Sequence, residues 1–211
     1  MLYLNLFRRN LNSFRSQFPR LLMLSLLVTC LGGFFAEVHQ KPLLAKNQNK
    51  QNAWAYAAFP VENFQAYTSG FGYRNSPVDG SWSFHAGLDI AAPLGSYVRN
   101  WWTGRVVELS DHTACGTMIK IQSDQWTHVY CHLMGSVENS PQGRYLIDRE
   151  GGIVIWQGQE IAANTRIARV GMTGRTTGPH LHWGLKYGGQ YIDPAPVITE
   201  MIRQQQAYYR R

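Results

Sequence analysis

Apolar and polar residues alternate with a period of two along most of the chain from residue 61 onwards. Clusters of glycine, proline, asparagine and aspartate, which end strands and form turns, separate these short segments. Residues 198–208 instead have the composition of a short, polar C-terminal helix. The pattern predicts a mainly β fold of antiparallel sheets, with strands in segments 104–109, 118–122, 128–133, 152–156, 166–170 and 181–186.

The first 36 residues have a different composition, with four arginines and no acidic residue, and residues 21–36 carry no charge. A basic segment followed by a short apolar stretch is typical of an export signal. The stretch is shorter than the roughly 20 residues that span a bilayer. We therefore predict an exported protein of the periplasm, cell envelope or extracellular space, which contacts a membrane only if this segment is retained as an anchor.

The rest of the chain divides by composition. Residues 37–60 are rich in glutamine and asparagine and are predicted to be a linker. We expect the folded domain over residues 61–198 and a polar C-terminal tail over residues 199–211. The formal net charge of the chain is +7, and without the four leader arginines it is +3. So small a charge does not favour nucleic acid as a partner, and we expect a monomer.

Two cysteines, Cys115 and Cys131, remain once Cys30 in the leader is set aside. An even pair in an exported protein indicates a disulfide. If Ser123 is the centre of a hairpin turn, residue 115 lies opposite residue 131, residue 119 opposite 127 and residue 121 opposite 125. Adjacent strands lie close enough for a disulfide to join the two cysteines in that register.

Four groups that could bind metal lie on two predicted strands. Around Gly87, alternation places His85 and Asp89 on one face and apolar residues on the other. The same alternation places His180 and His182 together on a second strand. Two histidines, a carboxylate and an open position form the arrangement of catalytic zinc sites. Spacing alone does not decide which three of the four side chains bind the metal.

Several motifs occur in an order that resembles a known family. They are Ser69-Gly70-Phe71-Gly72-Tyr73-Arg74, His85-x-Gly-x-Asp89, Tyr130-Cys131-His132-Leu133, Val170-Gly171-Met172-Thr173-Gly174, Thr177-Gly178-Pro179-His180-Leu181-His182 and Asp193-Pro194. Together they resemble the M23 family of zinc endopeptidases, the lysostaphin and LytM-type hydrolases of the bacterial cell wall. A single His-x-His motif would be weak evidence, but the ordered set is specific.

The resemblance implies a role for each group. His85, Asp89 and His182 would bind one Zn²⁺ per domain, and His132 and His180 would be the catalytic residues beside the open coordination position, with His180 as the base. Bound zinc activates water. The implied reaction is hydrolysis of peptide bonds in peptidoglycan stem peptides or cross-links, so the expected partner is peptidoglycan peptide. The alternative is a protein of this fold that binds the wall or activates an amidase without turnover.

The resemblance also implies a duplicated-hybrid-motif-like sheet fold with a long substrate groove. We expect residues 138–155 to be a charged loop beside that groove, and His39, His112 and His128 to be structural or solvated. Aromatic residues are candidates for the walls of the groove, namely Trp82, Trp101, Trp102, Tyr145 and Trp156.

Overall fold

The computed structural model describes residues 53–210. The predicted export signal over residues 1–36 and most of the predicted linker lie outside the described residues, so both stay predictions. Within residues 53–210, no helix is long and apolar enough to cross a membrane.

An eight-stranded antiparallel sheet dominates the fold. Seven of its strands follow one another across the sheet, and the eighth, β15, pairs with the second half of β14. In spatial order the strands are β1 (Ala66–Ser69), β4 (Leu88–Ala91), β14 (His180–Tyr187), β8 (Trp126–Leu133), β7 (Thr117–Ser123), β6 (Gly104–Ser110) and β12 (Glu160–Ile161), with β15 (Gln190–Ile192) beside β14.

Three smaller antiparallel sheets complete the β structure. They are the hairpin of β2 (Gly72–Asn75) and β3 (Trp82–His85), the pair of β5 (Tyr97–Arg99) and β13 (Arg166–Arg169), and the sheet of β9 (Ser136–Ser140), β10 (Gly143–Asp148) and β11 (Ile153–Trp156). Each of the six segments predicted as strands overlaps an observed strand. The predicted mainly antiparallel β fold is confirmed.

The core lies against one face of the large sheet because alternate residues of its strands are apolar. In β14, Leu181, Trp183 and Leu185 are fully buried, and they pack with the buried residues of neighbouring strands, such as Ile121 of β7 and Tyr130 of β8. Side chains of successive strand residues point to opposite faces. The polar residues of β14 therefore lie on the opposite side from this core.

Both ends of the described chain pack on the domain. A short 3-10 helix, Ala53–Tyr56, contacts helix α1, Pro194–Tyr209. Ala57 is buried beyond the 3-10 helix, and α1 buries Met201. Asp193 caps α1 by accepting a hydrogen bond from the amide of Ala195 at 2.9 Å. The domain limits predicted at residues 61 and 198 thus fall within packed structure, since burial begins earlier and α1 runs through the second limit.

The predicted charged loop over residues 138–155 is wrong, because this segment belongs to the three-stranded sheet β9–β11. Leu146 of β10 is fully buried. The sheet is also anchored by an ion pair, in which Arg169 donates to the two carboxylate oxygens of Asp148 at 2.6 and 2.7 Å. The charged residues of this segment therefore belong to a folded sheet and not to a loop.

The disulfide between Cys115 and Cys131 is present, and the two Cα atoms are 5.0 Å apart. The register predicted around it is wrong. Ser123 is the last residue of β7 and is paired with β8, so the turn lies after it. Ile119 therefore lies opposite Tyr130 and not opposite residue 127. Cys115 precedes β7 and reaches its partner from a loop, which explains why the pairing is right although the register is not.

Candidate metal centre

The β2–β3 hairpin brings His85 next to Asp89, which lies in strand β4 of the large sheet. His85 ends β3 and Asp89 lies in β4, so a short turn separates them. The Nδ1 atom of His85 lies 2.6 Å from the carbonyl oxygen of Gly70, and its Nε2 atom lies 2.9 Å from Oδ1 of Asp89. A carbonyl can only accept, so Nδ1 carries a proton, and in the singly protonated tautomer the lone pair of Nε2 points at the carboxylate.

His182 joins this pair because β14 lies beside β4 and places His182 directly opposite Asp89. Its Nδ1 atom is 2.9 Å from Oδ1 of Asp89 and 2.9 Å from Nε2 of His85. Three ligand atoms from three strands therefore meet at one point. The prediction that these three residues lie together agrees with the geometry.

Gly87 makes room for this arrangement. A Cβ atom at this position would lie 2.7 Å from Cε1 and Nε2 of His182 and 2.8 Å from the backbone oxygen of Trp183. The His182 ring thus occupies the space that any other residue at position 87 would fill. Glycine is needed at this position so that the His182 ring can approach the backbone closely. Its place between the two predicted ligands, His85 and Asp89, indicates the same requirement.

The three ligand atoms are better arranged to bind a cation than to form hydrogen bonds with one another. Nε2 of His85 and Oδ1 of Asp89 are both acceptors, yet they lie 2.9 Å apart. A single proton on Nδ1 of His182 cannot lie between all three pairs of atoms. A divalent ion that accepts three lone pairs would relieve this conflict, and two imidazoles with one carboxylate are a donor set that zinc uses.

The charge states of these groups suit metal binding. Burial opposes the charge of Asp89, but the neighbouring imidazoles of His182 and His85 outweigh burial and hold the pKa of the carboxyl well below its usual range. Burial also lowers the pKa of His182, which leaves its imidazole neutral at pH 7. Ionised carboxylates and neutral imidazoles are the forms that bind metal.

His132 and His180 lie beside this centre, with ring centroids 4.8 Å apart. Nδ1 of His132 donates to the carbonyl oxygen of Thr173 at 2.8 Å, and Nδ1 of His180 donates to that of Gly178 at 2.8 Å. Because Nδ1 of each ring is the donor, Nε2 is the nitrogen of each ring that can accept a proton. Nε2 of His180 is 3.6 Å from Oδ1 of Asp89. Burial lowers the pKa of His132 to about 4.

The backbone of His132 is unusual and firmly held. Its φ of 61° is in the left-handed region, which costs a residue with a Cβ roughly 1–2 kcal/mol. The amide of His132 donates to the carbonyl of Cys115 at 2.8 Å, and its own carbonyl accepts from Gly171 at 2.8 Å. The preceding residue, Cys131, is joined to Cys115 by the disulfide. These contacts fix a ring orientation that a regular strand would not give.

A cleft of about 320 Å³ is lined by Asp89 and the four histidines described above. Arg74 and Ser83 line it from the β2–β3 hairpin, and Arg175, Thr176 and Thr177 line it from the loop before β14. The cleft thus lies between a hairpin and a loop, and the histidines and Asp89 are part of its lining.

The aromatic residues predicted for the walls lie elsewhere. Among residues 53–210, the lining of the cleft includes Phe84 but none of the five aromatic residues that were predicted for its walls. Trp101 is fully buried in the core, and Tyr145 and Trp156 contact each other on the three-stranded sheet with ring centroids 4.7 Å apart. Sequence reasoning also missed the carbonyl groups that orient the histidine rings, because backbone acceptors leave no signal in residue types.

Comparison with known proteins identifies the family. The pattern described as Peptidase family M23 matches residues 83–194, and the chain belongs to this family. It is 34% identical over 131 residues to the DD-carboxypeptidase/endopeptidase Mpg of Neisseria meningitidis serogroup B, a match that covers 62% of this chain and 26% of that protein. It is 32% identical over 142 residues to the peptidoglycan DD-endopeptidase ShyB of Vibrio cholerae, covering 66% of this chain and 29% of that protein.

A solved structure shares the fold. A crystal structure described as a zinc containing peptidase from Vibrio cholerae superposes with a TM-score of 0.53 at 29% identity. The match covers 65% of this chain and 38% of the other chain. The chain therefore spans about a quarter to two fifths of the length of these relatives.

Proposed function

We propose that this protein is a zinc-dependent endopeptidase that hydrolyses peptide bonds in peptidoglycan stem peptides or cross-links. The observation that carries the proposal is the meeting of His85 Nε2, Asp89 Oδ1 and His182 Nδ1 at mutual distances of 2.9 Å, beside two further histidines. The names of the relatives, which include peptidoglycan DD-endopeptidases, support the substrate class.

In this proposal one zinc ion would be held by His85, Asp89 and His182. Bound zinc supplies Lewis acidity that lowers the pKa of water towards neutrality and polarises a carbonyl group. The three protein ligands contribute one negative charge, because only Asp89 is ionised.

His180 and His132 move the protons of the reaction. His180 takes a proton from the attacking water at Nε2, because Asp89 Oδ1 lies 3.6 Å away and stabilises the positive charge that the ring gains. The Nδ1 hydrogen bonds to Gly178 and Thr173 keep both Nε2 atoms available for this exchange. His132 is the second exchange site, and the two rings return a proton to the departing amine nitrogen.

The substrate and location follow from the same site. The cleft is lined by serine, threonine and arginine residues together with apolar residues such as Phe84, a mixture that suits an extended peptide. Peptidoglycan lies outside the cytoplasm, so a substrate of this kind requires export, and the basic, apolar leader over residues 1–36 fits that requirement. We therefore place the protein in the periplasm or cell envelope, acting as a monomer.

The proposal is tested with the full chain, isolated peptidoglycan sacs and mass spectrometry of the soluble products. We expect one zinc per chain and release of peptides with new amino and carboxyl ends. His180→Ala should lose at least about 100-fold in turnover while it retains zinc. His112→Ala removes an exposed histidine outside the cleft and serves as the matched control.

Two results would count against these assignments. Stoichiometric zinc with no cut bond would favour a wall-binding or amidase-activating protein over an enzyme. Loss of zinc in His180→Ala would show that His180 is a ligand and not the base.

A further inference from the structure

Arg74 reaches into the cleft from the β2–β3 hairpin. It pairs with Ser83 across the hairpin, and Gly72 pairs with His85 in the same way. Because residues two apart share a strand face, Arg74, Ser83 and His85 lie on the face that lines the cleft. The guanidinium is therefore beside the proposed reaction centre.

The donors of Arg74 are poorly used within residues 53–210. Its Nη2 atom is 3.5 Å from Oδ2 of Asp89, and Nη1 donates to the carbonyl of Asn75 at 3.4 Å. Its Nε atom is buried and has no hydrogen-bond partner there. Charge-assisted hydrogen bonds to carboxylates are normally about 2.7–2.9 Å long. Arg74 is thus a largely buried cation with one distant counter-ion.

Two other arginines of this chain are paired much more closely with carboxylates. Arg166 donates through Nε and Nη2 to both oxygens of Glu62 at 2.7 and 3.0 Å. Arg169 does the same to Asp148 at 2.6 and 2.7 Å. In Arg74 the corresponding edge has a bare Nε and one contact of 3.5 Å. Asp89 cannot move closer freely, since its other oxygen is shared by His85 and His182.

A quarter of the Arg74 side chain is exposed, and it lines the cleft. A planar guanidinium with spare donors recognises a carboxylate group better than any neutral group. We propose that Arg74 is a specificity-determining residue that binds a free carboxylate of the substrate next to the bond to be cut. This inference rests on the proposed function, and it narrows the substrate class to anionic stem peptides as opposed to neutral bridges.

The free carboxylate that meets Arg74 could be a side-chain carboxylate of the stem peptide or the carboxylate of the chain terminus. Both have the same chemistry, and synthetic peptides distinguish them. The substrate set consists of a cross-linked peptide dimer with all carboxylates free, a second in which the side-chain carboxylate is amidated, and a third in which the terminal carboxylate is amidated. Amidation removes the charge and keeps the size.

We expect the full chain to prefer the free form over one amidated form by about 10- to 100-fold in kcat/KM, the range for a hydrogen bond to a charged group. In Arg74→Gln this ratio should fall towards one, and zinc affinity should stay within a factor of two or so of the wild type. Arg105→Gln is the control, because Arg105 pairs with Glu160 at 2.8 Å and does not line the cleft. Its ratio should remain at the wild-type value.

Binding of the same three peptides to the His180→Ala chain, measured by calorimetry, separates this inference from the proposed function. A preference for one free carboxylate that Arg74→Gln abolishes supports the inference even if no peptide is cut. Equal binding of free and amidated peptides would overturn it, whether or not turnover occurs. An unchanged ratio in Arg74→Gln with strongly weakened zinc binding would overturn it too, because Arg74 would then only position Asp89.

Discussion

Replacing Gly87 by alanine should disrupt the metal centre through one methyl group. The added Cβ would lie 2.7 Å from two atoms of the His182 ring, and carbon atoms in contact are normally about 3.5–4.0 Å apart. The ring would have to move by about 1 Å. A proper metal site tolerates about 0.2 Å in its ligand distances. Retreat of the backbone is also blocked, since the methyl group lies 2.8 Å from the oxygen of Trp183.

We therefore expect Gly87→Ala to raise the dissociation constant for zinc at least about 10- to 100-fold, the range seen when groups that orient metal ligands are removed. Competition with a chromophoric chelator measures this constant directly. Gly70→Ala is the control, because nothing lies within 4 Å of its added methyl group and its backbone carbonyl remains. Wild-type zinc affinity in Gly87→Ala would refute the reasoning that His182 is a ligand held in this position.

Two further predictions concern stability. Burial lowers the pKa of His128 to about 3, below the ordinary 6.5 of an unfolded chain, so the unfolded state binds the proton more readily and stability falls as pH drops below 6.5. The loss should be about 2 kcal/mol between pH 7.5 and 5, and urea unfolding should show a smaller loss in His128→Gln; equal pH profiles would contradict this cause. Replacing Cys115 and Cys131 by serine opens a crosslink between positions 16 apart, and should lower the free energy of unfolding by about 3 kcal/mol. Unchanged urea midpoints would show that the disulfide contributes no stability.

The faces of individual strands could be predicted from the sequence because alternation determines them. His182 lies opposite the buried Leu181 and Trp183, as predicted. The single strand predicted for His85 and Asp89 is wrong, because a turn divides these residues between β3 and β4. That β4 and β14 are adjacent strands could not be predicted in this way. Their pairing joins residues 93 positions apart, and only the resemblance to a family suggested that they meet.

Details that depend on turns and on the second layer of the fold were harder to predict. A shift of the turn beyond Ser123 changed the register of the whole β7–β8 hairpin, although both strands were expected. Trp101 is a large aromatic residue whose burial depends on residues distant in sequence, including Trp54 and Trp183. The φ of His132 arises from backbone contacts, and no residue type announces it.

The central claim is that one zinc ion binds His85, Asp89 and His182 in this protein. The most direct measurement is anomalous diffraction at the zinc edge from crystals of the full chain grown with zinc. We expect a single strong peak within about 2.0–2.2 Å of His85 Nε2, Asp89 Oδ1 and His182 Nδ1. A peak held by other side chains, or no peak between these three atoms in the presence of excess zinc, would contradict it.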